Sequence, residues 1–286
     1  MIPAAFDYAC PTSVEEAVRV LAEGGEEAKV LAGGQSLVPM LRLRLASPKS
    51  LVDVRCVPQL RGVREEAGSL VIGAMTTHHD VLHDALVRRH APLLASATET
   101  VGDPAVRHRG TLGGSVAYAD PAGDLPSVVL ALDGELVAQG PRGRRTIPAA
   151  KFFVDHLKTA LEPGELLVEI RVPKLGVDWG FHYQKFRPSA QARTVVGVAV
   201  AVHRANGGIT EARIGLTNMG VTPLRASAAE AALTGVDATE EAVARAADAA
   251  AEGASPPSGP DASSEYRAHL ARVLTRRAVL AAARTW

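Results

Sequence analysis

At 286 residues the chain has room for one large or two medium domains, each with its own core. Lys+Arg and Asp+Glu both number 31, so no global field draws it to nucleic acid or to an anionic membrane. The only cysteines, Cys10 and Cys56, stand far apart in the sequence, which argues against a disulfide framework or an iron–sulfur cluster ligated by this chain alone. Met1 to Tyr8 lacks the basic and apolar regions of a signal peptide, and the longest apolar run, Val195 to Val202, is too short to cross a bilayer. A cytoplasmic protein with no transmembrane segment and no nucleic-acid partner is expected.

Ser13 and Glu16 have capping-box spacing and open a first helix, whose apolar face is Val14, Ala17, Val18 and Leu21 and whose end is Gly24-Gly25. Lys29 to Ala32 reads as a strand running into Gly33-Gly34. From Leu37 to Leu45 apolar residues alternate with Arg42 and Arg44, and Leu51 to Val54 reads as another short strand. These elements predict a small first lobe ending near residue 57. Leu70 to Ala74 is a strand, and Thr77 with Asp80 repeats the capping-box spacing. His78 and His79 are adjacent and do not share a helix face. His79 and His83 are spaced i, i+4 but lack a third ligand, so cap and surface roles outweigh a metal site.

A helix is predicted from Pro92 to Thr100, and a second, apolar one from Leu125 to Leu132 with Pro126 in its first turn. Glu135 to Gln139 and Arg144 to Ile147 form a hairpin around Pro141 to Gly143, and Leu166 to Val172 is a strand ended by Pro173. After Gly176 the character changes. Phe181 to Phe186, Thr194 to Arg204 and Ile209 to Thr217 read as three strands, the last two joined at Asn206-Gly207-Gly208. From Leu224 the chain is Ala-rich and helical. The last helix is assigned an apolar stripe of Tyr266, Leu270, Val273, Leu274 and Leu280, with Arg267, Arg272, Arg276 and Arg277 read as a solvated face in preference to a partner surface.

The candidate site begins at Lys29 to Leu37. A strand ending in paired glycines leaves backbone N–H groups without ladder partners, and glycine permits the close approach that a phosphate needs. A similar stretch, Gly110-Thr111-Leu112-Gly113-Gly114-Ser115, lies downstream, and two such loops suggest two phosphates and hence a dinucleotide. Ser36, Thr111 and Ser115 add hydroxyl donors. Asp120 and Asp124 suit ribose hydroxyls or an adenine amine, or else turn formation and helix capping. Neither loop matches Gly-x-Gly-x-x-Gly or Gly-x-x-x-x-Gly-Lys-Ser/Thr, which sets aside the Rossmann and P-loop solutions.

Lys29 to Leu37, Gly73-Ala-Met-Thr-Thr-His78, Thr111 to Gly114 with Asp120-Pro and Asp124, and Ser264-Glu-Tyr-Arg267 through Arg277 occur in this order. Together they resemble the FAD-binding medium subunit of molybdenum hydroxylases, the carbon monoxide dehydrogenase and xanthine dehydrogenase family, over essentially the whole chain. The resemblance implies an α+β fold: a two-lobed FAD-binding domain of the PCMH type over residues 1–176 (lobes about 1–57 and 58–176). A C-terminal domain over residues 177–286 would succeed it, with a three-stranded antiparallel sheet plus helices. It also implies that Leu31, Ala32, Gly33, Gly34, Gln35, Ser36 and Leu37, with Thr111, Gly113, Gly114 and Ser115, hold the FAD diphosphate. Asp120 and Asp124 would be further FAD contacts. Leu167 and Lys185 fall where the family has contacts near the flavin, although the residues alone read as a strand-core leucine and an exposed strand lysine. Ser115 replaces the usual Asn. Arg187-Pro188 and Ala192 replace a family pattern of two basic residues and an Asp, and Arg193 stands where some relatives carry an aromatic residue.

In function, the resemblance implies an oxidoreductase subunit. Its FAD would take electrons from [2Fe–2S] clusters of a small subunit, served by a molybdopterin-binding large subunit, and pass them to NAD, a quinone or oxygen. The expected assembly is a dimer of heterotrimers. Positive charge on Lys185 would favour the reduced flavin. A stand-alone FAD-dependent oxidoreductase and a scaffold that has lost its cofactor are the competing readings. No nucleophile–base pair is evident and no metal site is assigned.

Overall fold

The structure, a computed structural model, describes residues 2–189, 192–205 and 207–284. Ala190 and Gln191, between Pro188 and Ala192 of the altered segment, and Asn206 of the anticipated turn lie outside them.

The chain opens with β1 (Asp7–Ala9), α1 (Val14–Gly24), β2 (Ala28–Leu31), α2 (Leu37–Arg42) and β3 (Ser50–Asp53). The strands form a three-stranded sheet in the order β1-β3-β2, parallel throughout, with Val30 and Ala9 both opposite Val52. The Ser13 hydroxyl accepts from the Glu16 N–H at 3.1 Å, and the Glu16 carboxylate accepts from the Thr12 N–H at 2.8 Å, so the capping signal forms with its return bond one residue early. The segment from Leu37 to Leu45, left unassigned by its alternation, is largely helical. It winds into α2, which buries only Leu41.

The second lobe contains β4 (Val63–Glu66), β5 (Ser69–Gly73), α3 (His78–His83), α4 (Ala85–His90), α5 (Pro92–Glu99), α6 (Pro104–Arg109), α7 (Leu112–Tyr118) and α8 (Asp124–Ala131). β6 (Glu135–Gly140), β7 (Gly143–Pro148), α9 (Ala149–Phe152), β8 (Phe153–Asp155), β9 (Lys158–Thr159) and β10 (Leu166–Pro173) complete it. Its main sheet runs β4-β5-β10-β6-β7, antiparallel. Strand side chains alternate between faces, and here both faces are covered. Leu136, Ala138 and Ile170 join the core under the helices, whereas Val137, Leu166 and Val168 join the core of the first lobe beneath α1. This sheet therefore fixes one lobe against the other.

The remainder folds as β11 (Trp179–Phe186), β12 (Val196–Ala205), β13 (Gly208–Thr217), β14 (Leu224–Arg225), α10 (Ser227–Leu233), β15 (Val236–Asp237), α11 (Glu240–Ala247) and α12 (Ser264–Arg284). The three long strands form the expected antiparallel sheet, to which the short β14 and β15 add on β13. The apolar run in β12 is explained by burial on both sides. Val196, Val198, Val200 and Val202 face α10 to α12, while Ala199 and Ala201 pack into the core of the second lobe. The stripe assigned to the last helix is rotated. Leu270, Ala271, Leu274, Ala278, Val279 and Ala282 are buried, Tyr266 is 43% exposed, and Arg267 is buried rather than solvated. Small alanines let the helix backbone lie close to the sheet, which outweighs the pull of the larger side chains. No helix among the described residues is long and apolar enough to cross a membrane.

Candidate functional site

Three parallel strands of the first lobe end side by side at Ala9, Leu31 and Asp53, and a cavity of about 590 Å³ opens beyond those ends. Carboxyl ends of parallel strands are where open α/β sheets bind ligands, because the loops diverge there. Leu31 to Gln35 supply one wall, Tyr8, Asp53 and Arg55 another, and Arg109 reaches in from α6. Asp53 is buried. It accepts from the Tyr8 hydroxyl at 2.8 Å and from the Arg55 N–H at 3.0 Å, and it pairs with the Arg55 side chain at 3.1 Å. Hydrogen bonding to Asp53 raises the Tyr8 pKa. Cys10 and Cys56 meet beside Arg55. The hydrogen bond between the thiols lowers Cys10 and raises Cys56, so distance in sequence has not kept them apart.

The glycine loops interlock. A Cβ on Gly33 would lie 2.1 Å from the Arg109 carbonyl oxygen, and one on Gly113 would lie 2.5 Å from the Ala74 Cβ. Gly34 takes φ +75°, the left-handed region. The N–H groups of Gly33, Gly34, Gln35 and Ser36 donate to no acceptor among the described residues. The second loop behaves differently. Leu112 and Gly113 donate to the carbonyls of Thr76 and Ala74, Ser115 donates to the Thr111 carbonyl, and Gly114 donates to the Thr111 side-chain oxygen at 3.1 Å. Those N–H groups are spent on the fold, contrary to their reading as a second set of free donors. The loop offers hydroxyls instead, since Thr111 can still donate and Ser115, like Ser36, makes no side-chain hydrogen bond among the described residues.

His78 supports this junction from behind. Its N–H donates to the Gly110 carbonyl at 2.8 Å, and its ring fills the space a Gly110 side chain would need. Burial, helped by Arg107, lowers its pKa to about 4, and Nδ1 has no partner. His79 stacks on His108 with centroids 3.9 Å apart. Among the described residues no group of three or more His, Cys, Asp or Glu is arranged to hold a metal ion.

A second cavity, of about 310 Å³, lies beyond the C-terminal end of α7, where Asp120 to Ala122 face Arg193, Thr194, Asn218 and Arg267 of the C-terminal region. Asp120 caps the Ala122 N–H at 2.9 Å and pairs with Arg193, so it serves the turn and the cavity rim together. Asn218, at φ +63°, donates through its backbone to Pro121 and through its side chain to the Thr194 carbonyl, both at 2.7 Å. Asn is one of the few residues that adopts this region readily, and here it staples the two regions at the cavity edge.

Behind that edge Asp124 accepts from Tyr183 at 2.6 Å, Thr194 at 2.7 Å and Lys185 at 2.6 Å. Lys185 also donates to the Thr100 carbonyl at 2.9 Å. Its side chain is 7% exposed, so the reading of Lys185 as an exposed strand charge is corrected: it is one half of a buried ion pair. Burial raises the Tyr183 pKa well above its usual value, and the Asp124 carboxylate adds to the effect. Leu167 is 4% exposed and packs in the core of the second lobe, lining neither cavity. Leu37 opens α2 beside the first cavity.

Thus Leu31 to Leu37, Thr111 and Gly113 to Ser115 come together, Asp120 joins the second cavity, and Asp124 with Lys185 braces it from outside. Tyr8, Asp53, Arg55, Arg109, Thr194, Asn218 and Arg267 were not singled out as site residues by sequence. An acid at the end of a parallel strand was the available signal for Asp53; the others depend on contacts between remote segments. A cavity at the junction, a second cavity beyond α7, four unbonded N–H groups and three hydroxyls fit a cofactor with a central diphosphate.

Comparison with known proteins agrees. The model of the FAD binding domain in molybdopterin dehydrogenase matches residues 4–175, and that of the CO dehydrogenase flavoprotein C-terminal domain matches residues 181–282. The chain is 41% identical to the carbon monoxide dehydrogenase medium chain of Hydrogenophaga pseudoflava, covering 99% of this chain and 98% of that one. It is 36% identical to the nicotine 6-hydroxylase medium subunit of Paenarthrobacter nicotinovorans, covering 98% and 99%. Its fold superposes on a chain of quinoline 2-oxidoreductase from Pseudomonas putida 86 with TM-score 0.94 at 35% identity, covering 99% and 98%. With this fold, this site and these relatives, the chain belongs to the FAD-binding medium chains of the carbon monoxide dehydrogenase and xanthine dehydrogenase family, the flavin subunits of molybdenum hydroxylases.

Proposed function

We propose that this chain holds FAD extended between its two cavities and works as the electron-transfer subunit of a molybdenum hydroxylase. The observation that carries this is the interlock of Gly33 with Arg109, which brings a loop with four unbonded N–H groups beside the loop that carries the Thr111 and Ser115 hydroxyls. Leu31 to Leu37 and Thr111 to Ser115 would hold the diphosphate. The adenosine end would enter the cavity walled by Tyr8, Asp53 and Arg55, and the ring-bearing end the cavity walled by Asp120, Thr194 and Asn218. Asp124 and Lys185 would act one step removed, since both are committed to each other and fix Thr194 at the rim. The FAD-binding domain would extend to residue 176 and the C-terminal domain from 177 to 286.

FAD, when bound, would supply the capacity to take up and release electrons singly or in pairs, so the chain's own task is placement, exclusion of water and charge balance. Its relatives include a medium chain of carbon monoxide dehydrogenase and a medium subunit of nicotine 6-hydroxylase. By that analogy electrons arrive from a [2Fe–2S] small subunit after a molybdopterin large subunit has oxidised the substrate, in a cytoplasmic dimer of heterotrimers, and leave to an external acceptor. Tagging the chain and isolating it from its own cells tests this: FAD, molybdenum and iron–sulfur centres should co-purify in fixed ratio. A yellow single chain that turns over a substrate unaided would contradict the subunit reading. A colourless chain that rejects added FAD would contradict the flavin reading as well.

A further inference from the structure

Charges around the second cavity balance in number, with Asp120, Asp124 and Asp261 against Arg193, Lys185 and Arg267, but they are not all paired. Asp124 is matched by Lys185 at 2.6 Å, and Asp120 is matched by Arg193. Arg267 lines the same cavity, is 6% exposed, and forms no ion pair with a carboxylate among the described residues. One of its terminal nitrogens donates to the Val195 carbonyl, Nε is buried without a partner, and the other terminal nitrogen has no acceptor among the described residues. Burial lowers its pKa, with Asp261 acting the other way from longer range. An arginine remains charged nonetheless.

Such a group is costly unless something rewards it. A buried guanidinium with unused donors raises the free energy of the fold relative to a paired one. Its reward would be an anion in the cavity it lines. Resting on the reading that the ring-bearing end of FAD occupies this cavity, we propose that Arg267 is the cation that balances the negative charge the isoalloxazine gains on reduction. That role was expected of Lys185, but Asp124 already neutralises Lys185. Asp261, which also lines the cavity, would oppose Arg267 and hold the potential down.

The opposing signs make the test selective. The FAD midpoint potential is measured by spectroelectrochemistry in the purified holo complex carrying Arg267→Gln, Arg267→Lys or Asp261→Asn. Arg267→Gln should weaken binding of reduced relative to oxidised flavin about tenfold, which moves a two-electron potential about 30 mV more negative. Arg267→Lys should restore much of it, and Asp261→Asn should move the potential the other way. A potential unmoved by Arg267→Gln with FAD fully bound, or a shift of the same sign in Asp261→Asn, overturns the proposal. If Arg267→Gln does not assemble, Asp261→Asn decides alone: a positive shift supports the proposal and no shift refutes it. A wild-type complex devoid of FAD would sink the flavin reading and this inference together, whereas bound FAD with an unmoved potential sinks only the role of Arg267.

Discussion

His78 shows what a single buried ring does to the whole chain's response to acid. The unfolded imidazole takes up a proton near pH 6.5, and the folded one near 4 because burial and Arg107 resist the charge. Between those values the unfolded state binds more protons, so stability rises with pH across that window and is lost as pH falls through it, by about 3 kcal/mol for this group. Urea unfolding of the apo-chain at pH 7 and pH 4.5 should show the loss, and His78→Gln should reduce it by most of that amount. An unchanged pH dependence in the variant would show that His78 titrates normally. Lys185 poses a different problem. Lys185→Met strands the Asp124 carboxylate with only its Tyr183 and Thr194 donors, and should cost about 3 kcal/mol in the same assay. Adding Asp124→Asn should recover part of that cost. If the two changes simply add, the buried pair is not coupled.

At the scale of elements, the decisive contact is between the loop leaving β2 and the end of α6. Gly33→Ala would place a Cβ 2.1 Å from the Arg109 carbonyl oxygen, a backbone atom that cannot step aside without moving α6. The variant should lose about 1–3 kcal/mol of stability even without cofactor, seen as a lower thermal midpoint of the apo-chain. A wild-type melt would mean that the loops separate more easily than their packing suggests. Glycine substitutions are therefore poor probes of phosphate binding, because they break the frame before they touch the ligand. Capping and alternation were legible from sequence: Ser13 with Glu16, Thr77 with Asp80, the hairpin around Pro141 to Gly143, and the long strands of the third sheet all form. These signals are local, and local chemistry decides them. What escaped was set by remote neighbours. Arg267 is buried because alanines draw α12 onto β12, and Cys10 meets Cys56 because β1 lies beside β3. The second glycine loop looked equivalent to the first, yet its N–H groups face Ala74 and Thr76.

For the molecule as a whole, the proposed flavin site would draw on all three sheets. The first sheet ends at the larger cavity and carries the Gly33 loop, the second lobe supplies the Gly110 to Ser115 loop that meets it, and the third sheet closes the smaller cavity through Thr194 and Asn218. Nothing in that arrangement selects a substrate, which agrees with a subunit whose relatives serve enzymes as different as carbon monoxide dehydrogenase and nicotine 6-hydroxylase. On the proposed function, the junction would bind the FAD diphosphate through free N–H groups and free hydroxyls. Ser36 and Ser115 have no side-chain partner to lose among the described residues, so their removal spares the frame. The most direct measurement is FAD affinity, by quenching of flavin fluorescence, in wild type and in Ser36→Ala with Ser115→Ala. Each lost hydrogen bond to a charged oxygen is worth about 1.5–3 kcal/mol. The double variant should therefore bind FAD at least about a hundredfold more weakly while melting at the wild-type temperature. Unchanged affinity would contradict the account.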